Sequence, residues 1–158
     1  MSTASFEERF LALQNELPPP VEPPPTIRYC YARRAGSLLF TSGHGPRWGK
    51  TFRYTGKIGS ELTVEQGYAA ARLTALNLMQ TIRQAEGSLD RVRQFVDVFG
   101  AVNSGPGFTE QPRVMNGFSE CVYEIFGDAG YHTRMAMAAP ELPYNIAVEI
   151  KIVVELAS

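Results

Sequence analysis

Cysteine and histidine are scarce in this 158-residue chain: Cys30 and Cys121, His44 and His132 are all there is. Neither cysteine has a partner at CxxC or CxxH spacing, which removes a zinc site. Two thiols in a chain this long suit a reducing compartment better than a disulfide framework. No HExxH is present, so no metal is expected. Long apolar runs are missing too. Nothing approaches the ~18 residues of a membrane span. Met1 to Asn15 carries Glu7, Glu8 and Arg9 and no signal-peptide core. The expectation is a soluble, cytoplasmic protein. An excess of one charge is also lacking: 15 Lys plus Arg face 16 Asp plus Glu, a net charge of -1. A dedicated nucleic-acid binder needs a basic surface, so none is expected. Neither GxGxxG after a strand nor GxxxxGK[ST] occurs, and GxSxG is absent. Nucleotide and acyl-serine chemistry therefore lose their usual signatures.

What is present is an ordinary globular composition, 44% hydrophobic, sized for one domain. Proline is abundant in one place: six of the eleven prolines fall between Pro18 and Pro25. Before them, Phe6, Phe10, Leu13 and Leu17 recur at helical spacing, with Ser5 and Glu8 as a capping box. This predicts a helix over 5–17 stopped by Pro18. The prolines then form a semi-rigid spacer. Residues 1–26 read as an extension, and residues 27–158 as the single domain.

Beyond the prolines the pattern becomes β. Residues 28–34 and 37–41 predict a hairpin turning at Ala35-Gly36. A glycine-rich loop with one short strand should follow over 47–60. Thr63 to Glu86 is the strongest helix, with Thr63 and Gln66 as its capping box and Gly87 as its stop. Its stripe is Val64, Tyr68, Ala71, Ala75, Leu78 and Ile82. Val92 to Asn103 is apolar on both faces and predicts a central strand. Thr109 should cap a second helix that ends at Gly127, followed by strands around 132–138 and over 146–156. That order predicts an α+β fold, one sheet backed by two helices.

Three polar residues stand out against this background. Arg134 lies in an otherwise apolar strand, where a guanidinium fork suits a carboxylate; the alternative is an arginine that faces solvent or pairs with a structural glutamate. Glu149 faces the polar side of the last strand, either as a functional carboxylate or as a partner for Lys151. His44 follows Gly43 in a turn, where a surface role competes with a catalytic one.

Together these segments resemble one family. Thr41-Ser42-Gly43-His44-Gly45-Pro46 is similar to the TSGQxP turn of the Rid family, also called the YjgF family, of reactive-intermediate deaminases. Tyr29 stands fourteen residues before Gly43, where the family carries a tyrosine. Arg134, Glu141-Leu142-Pro143 and Val148-Glu149-Ile150 resemble its RSxVxVxxLPxxxxVEIE signature, spacings included. Asn116 falls where the family has its asparagine. The resemblance spans about residues 27–156, and the helix and proline stretch before it, with the longer loop at 48–59, look like those of a divergent subgroup.

The resemblance implies a chorismate-mutase-like fold with a mixed sheet, assembled as a homotrimer with sites between subunits. It implies hydrolysis of 2-imino and enamine acids, of the 2-aminoacrylate type, to 2-keto acids and ammonia without metal or cofactor. Arg134 would bind the carboxylate, and Glu149 would position water or move a proton. Tyr29, Gly43, His44, Asn116 and Ala136 would complete the substrate pocket. His44 replaces the family's glutamine, and Ala136 its usual cysteine. Two other readings stand beside this one: a non-catalytic regulatory trimer that binds small carboxylates, and an endoribonuclease.

Overall fold

The structure is a computed structural model that describes residues 3–158. Five strands form one sheet in the order β1-β2-β7-β5-β6: β1 (Ala32–Ala35), β2 (Leu38–Thr41), β5 (Val92–Asn103), β6 (Thr133–Ala139) and β7 (Val148–Leu156). A separate two-stranded hairpin joins β3 (Arg47–Trp48) to β4 (Thr51–Phe52). Pairing is antiparallel except for β5 with β6, which α3 (Gln111–Phe126) connects as a crossover. The fold is thus α+β with a mixed sheet, α2 (Val64–Glu86) and α3 lying against it.

Local chemistry set several boundaries where the sequence placed them. Thr63 and Gln66 close a reciprocal capping box on α2, and Gly87 ends the helix at φ 86°. β5 runs over the residues whose two apolar faces marked it as central. Other boundaries moved. The N-terminal helix, α1 (Phe6–Leu11), keeps its Ser5–Glu8 box but passes into a short 3₁₀ turn at Gln14–Glu16. The loop after Pro46 holds two short strands rather than one. Thr109 does not cap α3. Glu110 occupies that position without a side-chain cap, while Gln111 Nε2 donates to Phe108 O (2.8 Å) and Ser104 Oγ (3.2 Å). β7 begins at Val148 and not at 146, because Tyr144 and Asn145 adopt left-handed φ values of 57° and 55°.

The core lies between the sheet and the two long helices. On β7, Val148, Ile150, Ile152, Val154 and Leu156 are all buried. α2 carries more than the expected stripe. Ala70, Ala71 and Leu73 to Ile82 are buried around its whole circumference. The second cover is the N-terminal segment. Gln80 Nε2 donates to Pro18 O (2.8 Å), Arg83 pairs with Glu7 (2.6 Å), and Arg72 with Glu16 (2.8 Å). Phe10 is fully buried and belongs to the main cluster. Phe10→Ala should therefore cost about 3–5 kcal/mol in urea unfolding, as expected for a buried aromatic and not for a tether.

The two helices meet closely at Gly117, where an added methyl would overlap the backbone carbonyl of Tyr68. The opposite sheet face is uncovered. Phe40, Phe99, Met135 and Met137 stand exposed there. No helix of the described residues is long and apolar enough to cross a membrane.

Candidate functional site

The site residues read from the sequence fall into two groups. One group surrounds a cleft of about 210 Å³ that includes Tyr29, Gly43, His44 and Glu149. Its geometry starts where β2 ends. Ser42 turns the chain, donating from its backbone N–H to Tyr31 O (2.9 Å) and from Oγ to Cys30 O (2.7 Å). This turn explains why β1 starts at Ala32 and leaves Tyr29 and Tyr31 outside the strand. His44 then rejoins the sheet as an isolated bridge to Ile150, with backbone bonds of 2.8 and 2.9 Å.

That bridge puts Gly43 against Glu149. A Cβ at residue 43 would lie 2.6 Å from Glu149 Oε1, so the carboxylate occupies the space that only glycine leaves open. Glu149 is half-buried, and among the described residues its carboxylate has no ion pair or hydrogen-bond donor. The pairing with Lys151 is not formed. Burial pushes the Glu149 pKa above the usual carboxylate value.

His44 is held on both ring nitrogens. Nδ1–H donates to Ser42 O (2.8 Å), which leaves Nε2 to accept from Thr81 Oγ1 (2.8 Å). Burial lowers its pKa, and the nearby Arg47 adds to that. The imidazole is therefore neutral at pH 7, a fixed wall with an edge contact to Tyr31 (5.3 Å between centroids).

The second group is on β6 and α3. Arg134 Nη1 donates to Asn116 Oδ1 (3.1 Å) and Ser119 Oγ (3.0 Å), and Nη2 to Pro112 O (3.4 Å). Ser119 and His132 were not singled out in the sequence. His132 Nδ1–H donates to Gly130 O (2.6 Å), so Nε2 accepts the Ser119 hydroxyl at 3.0 Å. Ser119 thereby presents lone pairs to Arg134 and fixes its fork. Arg134, Ser119 and His132, with Tyr123 and Tyr131, line a second cavity of about 410 Å³. Ala136 follows two residues later on β6, half-buried against the core.

Register shows that the two groups cannot meet within one chain. Val98 pairs with both Arg134 and Ile152, whereas Glu149 pairs with Ala101. The two residues are two strands and three positions apart, roughly 14 Å at ordinary sheet spacings. They also point to opposite faces. Arg134 reaches the α3 side, and Glu149 shares a face with the exposed Met137. Among the described residues, no cluster of three or more His, Cys, Asp or Glu is arranged to hold a metal ion.

The family model described as "YjgF/chorismate mutase-like, putative endoribonuclease" matches residues 7–156. The chain belongs to the YjgF family. Protein TCP17 of Trypanosoma cruzi is 39% identical over 138 residues, 87% of this chain and 86% of that protein. A crystal structure described as a "putative endoribonuclease" from Shewanella oneidensis is 35% identical, with a TM-score of 0.89, covering 97% of this chain and 100% of its own. Atu1372 of Agrobacterium tumefaciens, of unknown function, is 32% identical with a TM-score of 0.85, covering 96% of this chain and 91% of its own. Coverage that extensive takes in most of the N-terminal segment, in keeping with its packing on α2.

For this YjgF-family chain, the contact between Gly43 and Glu149 is directly testable. Gly43→Ala should leave thermal stability nearly unchanged, because the Glu149 side chain can swing aside. It should displace the carboxylate, so any function that uses Glu149 should fall by about tenfold or more. The measurement is thermal unfolding beside ligand binding or turnover.

Proposed function

We propose that the protein hydrolyses 2-imino acids and their enamine tautomers to 2-keto acids and ammonia, at composite sites between copies of the chain. One observation carries this reading. Glu149 presents an unpaired, half-buried carboxylate against Gly43 in a cleft, at the spacing from Arg134 that the family signature shares.

The chemistry asks little of the protein, since an imine carbon is already electrophilic. Water adds to that carbon of the N-protonated imine, the C=N electron pair passes to nitrogen, and the Glu149 carboxylate takes the water's proton as the C–O bond forms. The resulting carbinolamine collapses. Glu149 returns the proton to nitrogen, the C–N bond breaks as the carbonyl forms, and the hydroxyl proton leaves with ammonia as ammonium. With an enamine, the protonated Glu149 first adds a proton to the terminal carbon, giving the imine. A raised pKa suits both directions of transfer. Arg134 holds the substrate carboxylate through two parallel N–H donors.

The opposed faces of Arg134 and Glu149 favour donation of one from each of two copies. The exposed Phe40, Phe99, Met135 and Met137 provide an apolar face for that association, which we read as a homotrimer. The test generates 2-aminoacrylate enzymatically and measures keto-acid release over the spontaneous rate, with sedimentation to give the assembly. Keto-acid binding without turnover would replace the proposal by a small-carboxylate sensor. Cleavage of RNA in place of imine hydrolysis would replace it by an endoribonuclease.

A further inference from the structure

The small cleft is furnished for more than a three-carbon acid. Besides Glu149, its lining includes four aromatic rings, Tyr29, Tyr31, Phe52 and Tyr144. The wall is built from separate segments that are tied together. Asn77 Nδ2 on α2 donates to Arg47 O (2.7 Å) and anchors the hairpin. Arg53 N–H donates to Pro46 O (2.8 Å), and Gly56 N–H to Asn145 O (2.8 Å). Ala147 N–H donates to Tyr54 O (3.0 Å), and Thr55 bridges Ile146. The hairpin and the Tyr144 turn are therefore one unit.

Within that unit the rings are held in register. Phe52 packs over Gly45, where a Cβ would stand 3.3 Å from the ring. Tyr144 stacks on Phe52 at 5.3 Å and 24° between planes. Reaching that position puts Tyr144 and Asn145 in the left-handed region, a backbone cost normally kept only where position matters. Arg47 places its guanidinium 4.7 Å from the Phe52 centroid, and among the described residues it has no carboxylate within ion-pair distance. An unpaired cation beside stacked rings is a setting for another flat, electron-rich ring.

We infer that this cleft selects 2-imino and 2-keto acids whose side chain is a planar aromatic ring, seated beside Phe52, Tyr144 and Arg47 with the reacting carbon toward Glu149. The inference rests on the hydrolysis proposed above, and it names the substrate class of the same site. The full chain is supplied with imino acids made in situ by oxidising phenylalanine or alanine with a flavin amino-acid oxidase. Keto-acid release should favour the phenylalanine-derived imine by about tenfold or more in kcat/KM. Tyr144→Ala, at a residue 78% exposed and so harmless to folding, should shrink that ratio, as should Phe52→Ala. Equal rates for the two imines, or an unchanged ratio in both variants, would overturn the inference while leaving the hydrolysis intact.

Calorimetry with phenylpyruvate and pyruvate separates the two ideas. Tighter phenylpyruvate binding without turnover of any imine supports the aromatic cleft and rejects the hydrolysis. Equal affinities, as would follow if a second copy covers the aromatic wall, reject the cleft assignment.

Discussion

Arg134→Ala should lower kcat/KM for imino-acid hydrolysis by about 10²- to 10⁴-fold. Each hydrogen bond between charged partners contributes roughly 1.5–3 kcal/mol, and the fork makes two of them. Arg134→Lys should recover only part of the loss, because an ammonium is a point charge and cannot reproduce the planar pair of donors. Burial pushes the arginine's pKa down, yet a guanidinium stays charged at any pH the protein would meet. The effect should therefore be independent of pH. Stability needs to be followed in the same samples, since Arg134 also bonds to Asn116, Ser119 and the Pro112 carbonyl. Near-normal turnover in a folded Arg134→Ala protein would remove the arginine from the site and with it the carboxylate anchor of the proposal.

Glu149→Gln should be as damaging, by about 10²- to 10⁴-fold in kcat, because an amide of the same shape cannot take or return a proton. Its consequences for pH run in a definite direction. Burial raises the folded-state pKa of Glu149 above its unfolded value. The group's contribution to stability is then full below the unfolded pKa and is lost as pH rises through the folded one. At neutral pH the wild-type protein bears that penalty, so Glu149→Gln should be equally or slightly more stable there. The wild-type rate should fall on acidification with a midpoint above the ordinary glutamate value, and the residual rate of the variant should lack that limb. A composite site adds a second readout. Chains carrying Arg134→Ala and chains carrying Glu149→Gln, each inactive alone, should regain activity when co-assembled. Failure to complement, with assembly verified, would overturn the composite site.

Legibility differed from residue to residue for physical reasons. The limits of α2 depend on contacts within four residues, namely the Thr63–Gln66 box and the left-handed Gly87, so local pattern was sufficient. Thr109 misled because the first turn of α3 is tied by Gln111 to Phe108 and Ser104, an arrangement with no capping signature. Ser119 and His132 have no motif spacing. They matter because α3 packs beside β6 and brings their side chains to Arg134. Arg47, Phe52 and Tyr144 were hidden for a similar reason, being joined by hydrogen bonds between distant segments.

The scarcity with which the chain begins, two histidines and two separated cysteines, already directed attention to an arginine and a glutamate. By itself the sequence determined the α+β class, the two long helices, the central strand and the identity of those candidates, because periodicity, caps and short motifs are local. Only the tertiary structure decided where the candidates point. Strand register is a long-range property, and a side chain's face alternates with each residue, so spacing along the chain could not show that Arg134 and Glu149 lie on opposite sides of the sheet. The role of the N-terminal segment was decided the same way. Its apolar stripe is visible in sequence, but only packing against α2 turns Phe10 from the face of a tethered helix into part of the core.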